Sequence, residues 1–243
     1  MSGLLALLDG DIILYRTGFA SMDVSERIAK ARMSETIGTI MDTVGASSYR
    51  MYLSDSKGNF RLSLFPRYKA NRPDNKPVHH EALSNYITNE WGAMIAWGEE
   101  ADDALGIDQS GDTTVICSID KDLKQIPGRH YNWVTGEFKT ISESEGLYLF
   151  YKQLLTGDST DNITVKEGLS CPGIGGQKAY QALEGCVTEE QYWETVCKLY
   201  YKQCKDQPLT DIHNRITLTG QLVKIRQKEG QIWNPPLPFL DVA

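Results

Sequence analysis

The chain has 243 residues, 41% of them hydrophobic and 23% charged, with a formal net charge of −7, which suits one large domain or a core with a smaller appendage. Five cysteines without a C-x-x-C pair exclude a zinc knuckle and a disulfide framework and fit a reducing cytoplasm. No stretch reaches the ~18 apolar residues of a membrane helix, and the opening run MSGLLALLDGDIIL, with no basic leader and two aspartates, does not read as a signal peptide.

Leu4 to Leu8 reads as a short buried strand ending at Asp9, with a helix from about Ile12. Ile28, Ala31, Ile37, Ile40, Met41 and Val44 keep helical spacing between Ser25 and Val44. Arg50 to Leu53 alternates as a strand that ends at Asp55, before a Lys57-Gly58-Asn59 turn. Residues 60–77 are basic, aromatic and proline-punctuated. A helix over about His79 to Trp91, a brief strand at Met94 to Ala96 and an acidic helix start at Glu99 to Asp103 follow. Thr114 to Ile119 is the clearest strand, β-branched and ending at Asp120. YNWVTGEFKTI reads as a hairpin turning at Thr135-Gly136, and from Ser142 onward the pattern is helical, interrupted by glycines at Gly168 to Gly176. Alternating strands and helices imply a mostly parallel sheet flanked by helices, an α/β fold.

Nine acids mark strand ends or helix starts: Asp9, Asp55, Glu100, Asp102, Asp103, Asp120, Asp122, Asp158 and Asp161. Strand ends of an α/β sheet converge on one crevice. At ~5 Å and an effective dielectric of ~20, each like-charge pair there costs on the order of 3 kcal/mol. Cations make such a pocket tolerable, and all-oxygen ligation favours magnesium or manganese over zinc. The set therefore reads as a two-metal site for phosphoryl or phosphodiester chemistry. Any one acid alone fits a helix cap or a solvated turn equally well. Asp11 and Asp23 are read as caps and left out. In extended backbone Asp120 and Asp122 share a direction, and Asp158 and Asp161 share a face if a helical turn starts there. Glu100 can join Asp102 and Asp103 only from the loop before the helix.

Setting the nine acids aside turns the net charge from −7 to +2, so acidity does not exclude a nucleic-acid partner. Arg61, Arg67, Lys69, Arg72 and Lys76, interleaved with Phe60, Phe65 and Tyr68, suit single-stranded nucleic acid, or else form a solvated charged loop. Gly173 and Gly175 precede a helix whose first turn carries Lys178, a setting in which backbone N–H groups can meet phosphate. Residues 198–228 carry a modest basic stripe of seven cations against Asp206 and Asp211. His79-His80 reads as a surface pair, and the five tryptophans, Trp97 among them, read as packing residues.

In order, LLDGD, DSKGNFRLSLFPRYKANRP, EEADDALG, SIDKDLKQIPG, LTGDSTDNI and PGIGGQKAYQAL resemble the 5′-nuclease superfamily. That superfamily includes flap endonucleases, the 5′-nuclease domain of bacterial DNA polymerase I and, most similar here, bacteriophage 5′→3′ exonucleases. The resemblance implies a PIN-like core over residues 1–157, with a helical arch in 60–92. Residues 158–243 then hold a helix–three-turn–helix DNA-binding element and a C-terminal helical region. It implies two Mg2+ (or Mn2+), one held by Asp9, Asp55, Glu100 and Asp102 and one by Asp120, Asp122, Asp158 and Asp161, with Asp103 close by. Lys69 and Arg72 correspond to the basic pair that contacts the scissile phosphate. Arg61, Arg67, Tyr68 and Lys76 are expected on DNA. Gly173, Gly175 and Lys178 correspond to the hairpin that grips duplex backbone, with K+ as its bound ion. The implied substrate is DNA with 5′ ends or flaps, extending to RNA–DNA hybrid, cut in phage replication by a monomer in the host cytoplasm. The segment Thr164 to Cys171 interrupts the family pattern, and the arch segment is short.

Two other readings remain open. LLALLDGD also resembles the nucleophile strand of a haloacid-dehalogenase-type phosphatase, with Asp9 as nucleophile and Asp11 as acid, although this leaves EEADD and SIDKD unexplained. The other is a catalytically inactive DNA-binding relative.

Overall fold

Ala6, Leu7 and Leu8 are fully buried in strand β1 (Leu5–Asp9), the centre of the sheet. The computed structural model describes residues 3–239. With β2 (Ser48–Ser54), β3 (Met94–Ala96), β4 (Thr114–Cys117), β5 (Gly128–Asn132) and β6 (Glu137–Ile141), β1 forms a six-stranded sheet in the order β3-β2-β1-β4-β5-β6. Only β6 is antiparallel, joined to β5 by the expected hairpin. The mostly parallel sheet read from the sequence is therefore present.

The helices are α1 (Gly10–Phe19), α2 (Glu26–Val44), α3 (Phe60–Leu64), α4 (His80–Asn89), α5 (Ala101–Asp108), α6 (Glu143–Thr156), α7 (Gly176–Leu183), α8 (Glu189–Gln203) and α9 (Leu209–Val223). The chain divides into two compact units. The first holds residues 1–60, 73–142 and 225–229, and the second holds 61–72, 143–224 and 230–243. The break expected after residue 157 differs from this division, because α6 buries Phe150, Tyr151, Leu154 and Leu155 in the second unit's core. The outer ends of the two expected domains, 1–2 and 240–243, lie outside the described residues.

In the first unit, α1, α2 and α4 supply Ile13, Leu14, Met33, Ile37, Ile40, Leu83 and Ile87 to a core shared with Ala6, Leu8 and Met51 of the sheet. A separate cluster joins Leu105 of α5 and Ile225 to Leu7 and Ile116. Apolar clusters on alternate residues of β1 explain why its sequence reads as a continuous hydrophobic run. The step from β1 into α1 needs glycine: a Cβ on Gly10 would lie 2.5 Å from the Tyr52 carbonyl oxygen. Helix α4, the one helix foreseen in the arch segment, is docked in this core through Leu83 and Ile87.

The second unit packs α6 to α9 around Trp193, Tyr151, Tyr200 and Phe150. Arg61, expected on DNA, is instead only 2% exposed. Its guanidinium donates to the carbonyls of Leu222 at 2.9 Å and Lys224 at 2.8 Å. An arginine so satisfied closes the end of α9 rather than meeting solvent. The segment Thr164 to Cys171 is packed too: Leu169 and Cys171 are buried, and the Ser170 N–H donates to Thr219 Oγ1 at 3.0 Å. Of the basic stripe, Lys198, Lys202, Lys205 and Lys228 are exposed, whereas the other three cations are engaged in the fold. Arg215 donates to the Gly168 carbonyl, and the Lys224 amine lies 4.8 Å over the Phe150 ring, where burial pushes its pKa down. Arg226, in the first unit, is buried in an ion pair. Among the described residues no helix is long and apolar enough to cross a membrane.

Candidate metal centre

Four neighbouring parallel strands of the first unit, β3, β2, β1 and β4, each lead at their C-terminal ends into a carboxylate: Glu100, Asp55, Asp9 and Asp120. Asp9 is 2% exposed and caps α1, its Oδ1 accepting from the Ile12 N–H at 3.1 Å. Its Oδ2 accepts from the Ser118 hydroxyl at 2.6 Å. Burial pushes the Asp9 pKa to about 7; the negative charges of Asp11 and Asp120 add to the rise, and the Ser118 and Ile12 hydrogen bonds oppose it. The loop after β4 is built as a chain. The Asp120 N–H donates to Ser118 Oγ at 3.0 Å, and the Asp122 N–H to Asp120 Oδ1 at 2.8 Å. Asp122 opens a short 3-10 turn, Asp122–Gln125, so it does not share an extended strand with Asp120 as the spacing suggested.

Asp55 fastens two turns. Its Oδ1 accepts from the N–H groups of Lys57 and Gly58, both at 2.9 Å, and its Oδ2 from the Gly98 N–H at 3.1 Å. These bonds hold its pKa below the usual carboxylate value. Glu100, as the sequence required, sits on the loop just before α5 and forms a capping box with Asp103. Asp103, expected close by the metals, stands beside Glu100 with both carboxylate oxygens engaged. It is fully buried, accepting from the Glu100 N–H at 3.1 Å and the Arg226 N–H at 2.9 Å. Arg226 also pairs with Glu99 at 3.0 Å and stacks 3.7 Å over the Phe60 ring. Asp103 is therefore a latch between the acid loop and the returning chain. Asp102, its neighbour on α5, is half-buried.

In the second unit, Asp158 and Asp161 lie on a turn after α6 rather than on a helix. The Asp158 carboxylate accepts from the Thr160 N–H at 2.7 Å, and its backbone pairs with Ile163. Asp161 gathers the basic segment. Its Oδ2 accepts from the Tyr68 hydroxyl at 2.9 Å and lies 3.9 Å from the Lys69 amine, and its Oδ1 pairs with Arg72. Lys69 adopts φ 58°, rare for a side-chain-bearing residue, and its N–H donates to the Asp161 carbonyl at 3.0 Å. Asn71 and Arg72 add bonds to the carbonyls of Ser159 at 2.7 Å and Thr160 at 3.3 Å. Tyr68 is 4% exposed, so the base-stacking role expected of it is ruled out by burial. Arg67 is exposed and pairs with Glu167, and Lys76, in the first unit, is exposed. Gly173 and Gly175 are exposed, and Lys178 donates to the Gly173 carbonyl at 2.9 Å.

Carboxylate oxygens with one hydroxyl beside them suit a hard divalent cation. Among the described residues no three His, Cys, Asp or Glu side chains already surround one ion position. Their oxygens bind backbone N–H groups and hydroxyls, which relieves part of their repulsion. Burial, with the charges of Asp11 and Asp120 adding to it, keeps the Asp9 pKa raised, and the all-oxygen donor set fits the expected ions. The sequence reading missed two neighbours of Asp9. Asp11, taken for a cap, accepts from the Ser54 N–H at 3.1 Å at the end of β2. Ser118 stands two residues before Asp120 at the end of β4, a spacing visible in the sequence. Trp97, taken for packing, is 77% exposed.

The family model for the 5′-3′ exonuclease N-terminal, resolvase-like domain matches residues 4–150. A 5′-3′ exonuclease of Buchnera aphidicola subsp. Schizaphis graminum is 32% identical over 182 residues, which is 65% of this chain and 63% of that protein's length. The bacteriophage T5 5′-exonuclease bound to divalent zinc ions superposes with a TM-score of 0.63 at 17% identity, covering 90% of this chain and 88% of the other. The T5 flap endonuclease in a pseudo-enzyme-product complex with DNA and metal ions gives 0.61 at 17%, covering 89% and 88%. The two superpositions establish the fold, which is PIN-like. By the match over more than half of its length, the chain belongs to the 5′-3′ exonuclease family.

Proposed function

We propose that this chain is a divalent-metal-dependent hydrolase of DNA phosphodiesters near 5′ ends, acting as a 5′→3′ exonuclease and flap endonuclease. The observation that carries the reading is the row of carboxylates after β3, β2, β1 and β4, centred on an Asp9 too buried and too crowded to ionise easily. Family membership supports it, as do the metal and DNA in the T5 structures. The alternatives of a phosphatase and an inactive relative find no such support. The Asp11 carboxylate is moreover engaged with the Ser54 N–H, which does not suit a general acid.

Two magnesium or manganese ions are part of the proposal. Asp9, Asp55, Glu100 and Asp102 would hold one, and Asp120, Asp122, Asp158 and Asp161 the other. When bound, such ions acidify a water and offset charge on the leaving oxygen. The chain's own contribution starts with Ser118, whose hydroxyl orients Asp9. Asp103 keeps Glu100 at the helix start without itself being a ligand. Lys69 and Arg72 face the scissile phosphate and offset its charge, positioned by Asp161 and by the left-handed backbone at Lys69.

Helix α6, the loop 157–175 and α7 serve as the helix–three-turn–helix, with Gly173, Gly175 and Lys178 on duplex backbone. The stretch 60–92 serves as the arch, with Arg67 and Lys76 toward DNA. A potassium ion at this turn is part of the proposal as well; in the structure the Gly173 carbonyl accepts from the Lys178 ammonium. A monomer that cuts 5′ ends in phage replication, RNA primers included, in the host cytoplasm completes the reading.

The experiment incubates end-labelled flap, nicked and blunt duplexes, DNA-only and RNA-primed, with magnesium, manganese or chelator. Products with 5′-phosphate, formed only with metal and lost in Asp120→Asn, are expected. Full turnover in chelator would overturn the reading, and so would phosphate release from small monoesters that Asp11→Asn abolishes.

A further inference from the structure

Trp97 is the most exposed large hydrophobic side chain among the described residues, at 77%. An indole left in water forgoes the burial that normally stabilises it, and the backbone turn that carries this one is hydrogen-bonded throughout. The Glu99 N–H donates to the Ala96 carbonyl at 3.1 Å, closing a turn with Trp97 at its second position and Gly98 at its third. Gly98 has φ 78°, the left-handed value that a type II turn demands there. The turn is tied on every side. The Gly98 N–H donates to Asp55, the Gly98 carbonyl accepts from the Phe60 N–H at 2.9 Å, and the Glu99 carbonyl accepts from the Asp55 N–H at 3.1 Å.

The Asp55 carboxylate that holds Gly98 also holds the Lys57-Gly58 turn, and a Cβ on Gly98 would lie 4.0 Å from the Gly58 carbonyl oxygen. An exposed lysine and an exposed tryptophan thus stand on two adjoining turns fixed by a single candidate metal ligand, three residues before Glu100. A cation for phosphate beside an aromatic face for a base is the composition that binds single-stranded nucleic acid. The sequence reading assigned this pairing to residues 60–77, where Tyr68 is buried; the structure supplies it at Lys57 and Trp97.

We propose that Trp97 and Lys57 form a binding subsite for one unpaired nucleotide of the substrate strand, the indole stacking on the base and the lysine on its phosphate. This rests on the nuclease reading for its substrate but not for its geometry. Base stacking is sequence-tolerant, so the subsite holds any base and recognises unpaired structure.

The test measures affinity for a flapped duplex in calcium, with each flap nucleotide near the junction replaced in turn by an abasic residue. For Trp97→Ala we expect roughly 10- to 100-fold weaker binding, the range that alanine substitution of a stacked aromatic gives. Trp97→Phe should restore most of it. One abasic position should weaken the wild type but leave Trp97→Ala unchanged, while Lys57→Ala lowers the salt slope by about one unit. Unchanged affinity in Trp97→Ala, or equal abasic penalties in both proteins, overturns the subsite. So does a shift from dimer to monomer in Trp97→Ala by sedimentation, which would make the tryptophan a contact between copies. Wild-type cleavage with no Trp97 dependence sinks the subsite alone. Trp97-dependent binding without metal-dependent cleavage sinks the nuclease reading alone.

Discussion

Asp9 and Asp161 carry the same side chain and the same expected role, yet the structure gives them opposite company. Around Asp9 the partners are a hydroxyl, a backbone N–H and two more carboxylates. Around Asp161 they are Arg72, Lys69 and the Tyr68 hydroxyl. Asp9 thus carries the charge that an added cation would offset most. In the second unit, Asp161 spends much of its charge on the residues that would meet phosphate. A carboxylate's place in a motif does not fix what it does; the partners that folding brings to it decide.

The largest effects should separate these two surroundings. Asp9→Asn and Asp120→Asn should each lower single-turnover cleavage by about 1,000-fold or more while DNA still binds in calcium. Lys69→Ala should lose roughly 100- to 1,000-fold, the range for a preorganised charge-assisted contact. Asp161→Asn should share both losses: turnover falls as in Lys69→Ala, and the metal concentration for half-maximal rate rises, though less than in Asp9→Asn, because Arg72 and Lys69 already match part of its charge. A metal requirement raised as steeply as that of Asp9→Asn would break the contrast between the two surroundings.

A smaller effect divides Asp102 from Asp103. As a buried acceptor of two N–H groups, Asp103 is structural, and Asp103→Ala should destabilise the protein by about 1–3 kcal/mol per N–H left buried without its partner. Asp103→Asn keeps an acceptor and should retain activity within about tenfold at raised metal, whereas Asp102→Asn should not. Urea unfolding alongside metal titrations reads both.

Much of this was legible because strand-end acids follow local rules. A β-branched run such as Thr114 to Cys117 bounded by Asp120, or Glu100 preceding a helix, is visible without tertiary knowledge. The partners of Arg61, Tyr68, Asp103 and Arg226 were not legible. Arg61 meets Leu222 and Lys224 some 160 positions away, and Asp103 meets Arg226 more than 120 away, so no window of sequence contains both ends. Trp97 misled for a related reason: tryptophan is usually buried, and only the turn at Gly98, fastened by Asp55, holds it outward.

The surroundings of Asp9 also set a pH dependence in metal-free protein. Its carboxyl titrates near 7 when folded and near the ordinary value of 3.8 when unfolded. Between those values the folded state holds a proton that the unfolded state has lost, so stability falls as pH rises from about 4 to about 7 and stays lower above. In chelator, Asp9→Asn should flatten that fall and raise Tm at pH 8 by roughly 5 °C. A pH profile identical to wild type would show that the crowding around Asp9 is relieved in solution.

The smallest effect belongs to Lys178, the cation proposed for duplex backbone. Its ammonium donates to the Gly173 carbonyl on the turn before α7, so it both shapes that turn and presents charge beside it. Lys178→Ala should weaken duplex binding and reduce the slope of log affinity against log salt by about one unit. Single-turnover cleavage at saturating enzyme should change by less than about threefold, because no reacting atom depends on this contact. Lys178→Arg should keep the slope, since a guanidinium still neutralises phosphate. Loss of turnover equal to that of Lys69→Ala, with the salt slope unchanged, would place Lys178 with the chemistry and would remove the glycine turn from the DNA grip.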